Sequence, residues 1–179
     1  MEKWNWIGFF WRDIFKRAIP RERSRIDFLK STPFFLGFSD RQIELTNEFL
    51  HERQFAKEEH IFEIGHPGAA LYLIESGEIA IEIPQEKSES IRVATLAAGS
   101  FFGELALIDE APRSASARAL VDTKVLALPR SELDRMREQS PHLGAMVYRS
   151  LAQITSARLK STLERLQNEE PQMKMVVNG

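Results

Sequence analysis

The chain has 179 residues, 43% of them hydrophobic and 28% charged, which is the composition of a globular protein and excludes global disorder. Twenty-four Lys and Arg against 26 Asp and Glu leave a formal net charge of -2, which argues against a surface built throughout for nucleic acid but allows a local basic patch. With no cysteine there is no disulfide, thiolate zinc site or cysteine nucleophile, and no apolar run approaches the ~20 residues needed to span a bilayer.

The first segment, Met1 to about Arg25, holds all three tryptophans. On a helix, Trp4, Ile7, Phe10, Trp11, Ile14, Phe15 and Ala18 gather on one side, with Asn5, Arg12, Asp13 and Lys16 opposite. Seven basic against three acidic residues give it a local charge of +4 (7 minus 3). Three roles suit such a helix: an interfacial anchor on a membrane, insertion into a partner's groove, or packing on its own domain. Its interrupting charges do not suit a secretory signal, so a cytoplasmic protein, peripheral on the inner membrane face in the first of these roles, is expected.

Residues 26–167 read as the main domain. A short helix over Ile26 to Lys30 is followed by a Ser-Thr-Pro turn at Ser31 to Pro33. Ser39 with Gln42 three positions on forms a capping box for a helix to about Leu50. From Glu52 to about Pro129 short apolar runs recur: Ile61 to Ile64, Leu71 to Ile74, Ile79 to Ile83, Ile91 to Leu96, Ser114 to Ala119 and Lys124 to Leu128. Ser76-Gly77 is expected to join two of them as a tight hairpin. Many short strands with closely spaced turns predict an antiparallel barrel or jelly roll with flanking helices, a mainly β, α+β domain. Ser131 is expected to cap a helix through Gln139, and Ser140-Pro141 to start a longer one to about Gln167. Leu143, Met146, Val147, Leu151, Ile154 and Ala157 fall on one side of it; that side could pack on the domain or pair with a second copy. Residues 168–179 are expected to form a flexible tail.

The stretch Phe102 to Ile108 (F-G-E-L-A-L-I), followed by Asp109, Glu110, Ala111, Pro112, Arg113, Ser114 and Ala115, carries the chemistry. Gly103 allows close approach to the backbone. The Leu105 to Ile108 run can make one helical turn whose leading N–H groups donate to an anion. Arg113 adds a permanent cation with a geometry matched to phosphate oxygens. Glu104 cannot bind phosphate but can accept hydrogen bonds from a sugar hydroxyl. Phosphate donors beside a sugar acceptor in an apolar roll describe a nucleotide site, and a single arginine suits a singly charged phosphate. Ser114 could bond to a guanine edge or to phosphate. The histidines at 51, 60, 66 and 142 have no metal-ligand spacing, so no metal is expected.

This segment resembles the phosphate-binding cassette of cyclic-nucleotide-binding domains, which occur in protein kinase regulatory subunits, cyclic-nucleotide-gated channels and the catabolite activator group. The resemblance extends over roughly Phe28 to Gln167, with Phe28 to Phe35, Gly65 and Gly68, Ser76-Gly77-Glu78 and Gly99 as further landmarks. It implies an eight-stranded β-roll in which Glu104 binds a ribose 2′-hydroxyl and Arg113 the cyclic phosphate. Gly103 and backbone N–H groups near Leu105, Ala106 and Ala115, with Ser114, complete the implied site. The implied function is a stand-alone, non-catalytic sensor of cAMP or cGMP that needs no cofactor. Its C-terminal helices would act as a lid, with Arg149 or Arg158 near the base, and regulate a protein partner. The residues after Gln167 are too few for the DNA-binding helices of the activator group, so no DNA binding is expected. The alternative is an adaptor that keeps the roll as a scaffold and senses nothing, in which Glu104 and Arg113 pair with each other.

Overall fold

The computed structural model describes residues 25–85, 88–108 and 111–176. The expected aromatic helix before Arg25 and the Asp109-Glu110 pair lie outside the described residues.

Helix α1 (Arg25–Ser31) runs into a single 3-10 turn at Pro33–Phe35, and α2 spans Asp40–Asn47. The capping box at the start of α2 is formed. Ser39 Oγ accepts from the Gln42 N–H at 3.3 Å, and Gln42 Oε1 accepts from the Ser39 N–H at 2.7 Å. Eight strands follow: β1 (His51–Phe55), β2 (His60–Phe62), β3 (Ala70–Ser76), β4 (Glu78–Gln85), β5 (Ser88–Ala97), β6 (Phe101–Phe102), β7 (Ser116–Ala119) and β8 (Thr123–Pro129). A one-turn helix α3 (Leu105–Ile108) separates β6 from β7, and α4 (Arg130–Gln139) and α5 (Pro141–Val176) close the fold.

The strands form two four-stranded sheets, ordered β1-β8-β3-β6 and β2-β7-β4-β5, with every pairing antiparallel. This is the expected roll. The hairpin expected at Ser76-Gly77 is not present: β3 pairs with β8 and β6, whereas β4 pairs with β5 and β7. The chain instead crosses from one sheet to the other at Gly77, whose φ of 100° is open to glycine. A Cβ there would lie 2.2 Å from Thr123 Oγ1 and 2.7 Å from Thr123 Cα, so the corner requires the absence of a side chain. A turn residue between two apolar runs marks a change of direction; it does not say which sheet the second run joins.

Apart from its edge strand β1, which is largely exposed, the first sheet is buried on both faces, and β3, β6 and β8 alternate accordingly. Leu71, Leu73, Phe101, Leu126 and Leu128 face the helices and share a core with Phe28, Leu29, Phe34, Ile43, Leu133, Met136, Leu143, Val147 and Leu151. Tyr72, Ile74, Phe102 and Val125 face the other way, into the roll, with Ile79, Leu96, Ala117 and Ala119 of the second sheet. The two residues of β6 thus send one ring into each core. On the second sheet, the Arg118 guanidinium grips Glu82 at 2.6 and 3.2 Å and also pairs with Glu58. Glu82 is buried, so this pair satisfies a carboxylate that has little water.

Two helix boundaries differ from expectation. Ser131 is not a cap: α4 begins at Arg130, and its N-cap is Pro129, two residues before Ser131, in extended conformation and with no side-chain cap. The geometry that Pro129 fixes at the end of β8 sets this start. The backbone of α5 is helical to Val176, past the expected end near Gln167. The run from Leu159 to Glu170 is dominated by Leu, Lys, Arg, Glu and Gln, whose helix propensity carries the segment through Pro171. On α5, Leu143, Val147 and Leu151 are buried and Ile154 is partly so, while Ala157 is exposed. No helix among the described residues is long and apolar enough to cross a membrane.

Candidate functional site

The expected site residues sit between β6 and β7. Gly103 follows β6 with φ 77°, and a Cβ on it would come within 2.7 Å of Arg113 Nη1 and 3.0 Å of the Ala70 carbonyl. Glu104 precedes α3, and its carbonyl accepts the first hydrogen bond of that turn, from the Leu107 N–H at 3.0 Å. Leu105 and Ala106 therefore open the turn, where N–H groups have no intrahelical acceptor. Leu105 has an exposed side chain, 43% accessible.

The return from α3 is zipped to the β2–β3 turn. Arg113 N–H donates to the His66 carbonyl at 2.9 Å, Gly65 N–H donates to the Arg113 carbonyl at 2.8 Å, and Pro67 bridges Pro112. These bonds fix the backbone of Arg113 and send its side chain into the roll. There Nη1 donates to the Gly103 carbonyl and Nη2 to the Ala70 carbonyl, both at 2.9 Å. Arg113 is only 6% exposed. Burial pushes its guanidinium below the ordinary arginine range, opposed by a hydrogen bond and charge interaction with Tyr72 and by the charge of Glu104. Ser114 is exposed, Ala115 half-buried, and the Ser116 hydroxyl accepts from the Ile64 N–H at 3.0 Å. The His66 side chain is largely solvated, 3.7 Å from Glu63.

Glu104 and Arg113 do not pair with each other as the adaptor alternative requires. Glu104 is 6% exposed, and its Oε1 pairs with Nη1 of Arg158 on α5. The second arm of Arg158 donates to the Phe101 carbonyl at 2.7 Å, and its Cζ lies 4.4 Å from the Phe101 ring centroid. Of the two arginines named for the lid, Arg158 is the one at the cassette; Arg149 is exposed.

Three participants escaped the sequence reading. The Ala70 carbonyl could not have been found, because a backbone acceptor has no sequence signal. Tyr72 could: it sits between Leu71 and Leu73 in a strand whose neighbours face the helices, so period-two alternation points it into the roll. Phe62 could not, because the register of β2 shifts between His60 and Phe62 and alternation no longer aims its ring. Phe62, Tyr72 and Phe102 form one aromatic group, with centroids 5.2–5.9 Å apart. Among the described residues no group of three metal-ligating side chains comes together.

The sequence profile of the cyclic nucleotide-binding domain matches residues 52–140, the whole roll and α4. The cyclic AMP receptor protein of Thermus thermophilus is 33% identical over 132 residues, covering 74% of this chain and 59% of that protein. A cAMP-dependent protein kinase regulatory subunit of Hypocrea atroviridis is 33% identical over 127 residues, covering 71% of this chain and 26% of that one. The chain thus spans between about a quarter and three fifths of these relatives. Among solved structures, a cyclic nucleotide-binding domain from Methylobacillus flagellatus superposes with a TM-score of 0.71 at 26% identity, over 80% of this chain and 81% of that one. With the profile aligned across the β6–β7 connection that carries Gly103, Glu104 and Arg113, and the same fold in its structural neighbour, residues 52–140 belong to the cyclic nucleotide-binding domain family.

Proposed function

We propose that the protein is a non-catalytic receptor for a cyclic mononucleotide, cAMP or cGMP, whose binding is read out by α5. Arg113 takes the cyclic phosphate together with N–H groups of Leu105, Ala106 and Ala115; Glu104 accepts from the ribose hydroxyl; the purine lies against the apolar lining of the roll. The observation that carries this reading is the burial of Arg113 among acceptors that are not anions. A buried cation is costly unless an opposite charge reaches it. Among the described residues its hydrogen-bond partners are the Gly103 and Ala70 carbonyls and Tyr72. Glu104 acts on it as a nearby charge while paired with Arg158, and a bound phosphate supplies an anion in direct contact.

The names of the relatives, a cyclic AMP receptor and a cAMP-dependent kinase subunit, support the ligand class. Arg158 ties α5 to the ribose acceptor, so a ligand that engages Glu104 acts on the helix that would carry the signal. Leu159 and Leu163, exposed four residues apart on α5, support pairing of this helix with a second copy or a partner protein.

Calorimetric titration of ligand-free, folded protein with cAMP and, in parallel, cGMP tests the proposal. Micromolar or tighter binding of either is expected, lost in Arg113→Ala, with about 2.7 kcal/mol of added stability at a hundredfold excess over Kd. No heat and no thermal stabilisation with either would leave a scaffold that senses nothing.

A further inference from the structure

A register shift in β2 has a consequence for Arg113. His60 pairs with Arg118 of β7 and Phe62 with Ala117, so two steps along β2 match one step along β7. Such a bulge breaks the alternation of side chains and re-aims one of them. His60 is exposed, and Ile61 packs into the core of the roll; in a regular strand Phe62 would then face away. Instead Phe62 joins the same core, and its ring lies under the guanidinium of Arg113, with Cζ 4.0 Å from the ring centroid. Tyr72 flanks the same group, with its centroid 5.8 Å from Cζ.

With one arm of the guanidinium on Gly103, the other on Ala70 and an aromatic face beneath, the plane of the group is fixed. Nε–H is left buried without a hydrogen-bond partner, a donor whose desolvation nothing in the protein offsets. We propose that Phe62 is a positioning residue for Arg113: the bulge in β2 presents its ring so that the guanidinium is held with Nε–H in reserve for a phosphate oxygen. This rests on the cyclic-nucleotide reading above and adds a residue outside the cassette to it. A ring beneath a desolvated guanidinium attracts it through the quadrupole, which an aliphatic side chain of similar size does not.

The experiment compares full-length protein with Phe62→Leu and Phe62→Tyr, titrated with cAMP and cGMP after thermal unfolding has shown each variant folded. For whichever nucleotide binds, Phe62→Leu should lose about tenfold in affinity and Phe62→Tyr should stay within about twofold of the unsubstituted protein. In parallel, the Arg113 Nε–H resonance of the unsubstituted protein should lie upfield through the ring current of Phe62 and shift when nucleotide is added. Equal affinity in a folded Phe62→Leu variant overturns the inference while leaving the nucleotide reading intact. If that variant does not fold, the resonance decides: an unshifted Nε–H overturns the inference and an upfield one supports it. Failure of the unsubstituted protein to bind either nucleotide overturns both readings.

Discussion

Glu104 is paired with Arg158, on a helix that begins far beyond the cassette, and not with Arg113 inside it. Because the same guanidinium also holds the Phe101 carbonyl, α5 is fastened at both ends of the segment that leads into α3. In Arg158→Ala the Glu104 carboxylate stays buried and loses its cation, at an expected cost of about 1–3 kcal/mol in urea unfolding. Replacing Glu104 by Gln in the Arg158→Ala background should recover part of that loss, since the stranded charge is then gone. Additive effects of the two substitutions would mean that the contact contributes no coupling.

The crossing at Gly77 and the turn at Gly65 separate two costs that glycine hides. Both have positive φ, 100° and 82°, but a Cβ meets nothing within 4 Å at Gly65 and strikes Thr123 at Gly77. Gly65→Ala should cost only the left-handed strain, about 1–2 kcal/mol. Gly77→Ala adds a clash with backbone and should cost about 3 kcal/mol or more, or abolish soluble expression. Thermal unfolding of the pair checks the ordering.

Gly103→Ala should affect binding more than folding. Its Cβ would press on Arg113 Nη1, the end of a long side chain that can shift, and on the Ala70 carbonyl that receives the same guanidinium. Stability should fall by about 1–2 kcal/mol from the backbone strain. Nucleotide affinity should fall about tenfold or more, because the arginine must leave the geometry that two carbonyls define. Titration calorimetry beside urea unfolding distinguishes the two effects.

Arg118 and Glu82 give a prediction away from the site. Arg118→Met takes the hydrogen-bonded cation from a carboxylate that is 5% exposed and leaves it with Arg92 at 4.0 Å, and the loss should reach about 3 kcal/mol. Arg118→Met with Glu82→Leu should regain most of it by replacing the charges with apolar contact. A double variant no more stable than Arg118→Met would show that the pair does more than neutralise itself.

The legible parts of this chain were those governed by local rules. The capping box at Ser39 and Gln42 was readable because both partners lie within one turn. The F-G-E-L-A-L-I segment was readable because its glycine, its turn and its arginine lie close in sequence. What escaped depends on distant strands. Whether Gly77 makes a hairpin or a crossing is set by Thr123 and by the pairing of β3 with β8, none of it local. Phe62 was hidden by a bulge, since regular alternation would have turned its ring outward. Arg158 was one of the two arginines that the sequence reading named on its helix, and only the packing of Leu143, Val147 and Leu151 fixes which of them reaches Glu104.

Phe101 and Phe102 are neighbours on a two-residue strand, yet the first belongs to the core under the helices and the second to the core inside the roll. A wall only two residues long cannot give way on one side and stay intact on the other. The helical layer and the roll should therefore melt as one cooperative unit, with the slowest-exchanging amides of both opening at the same free energy.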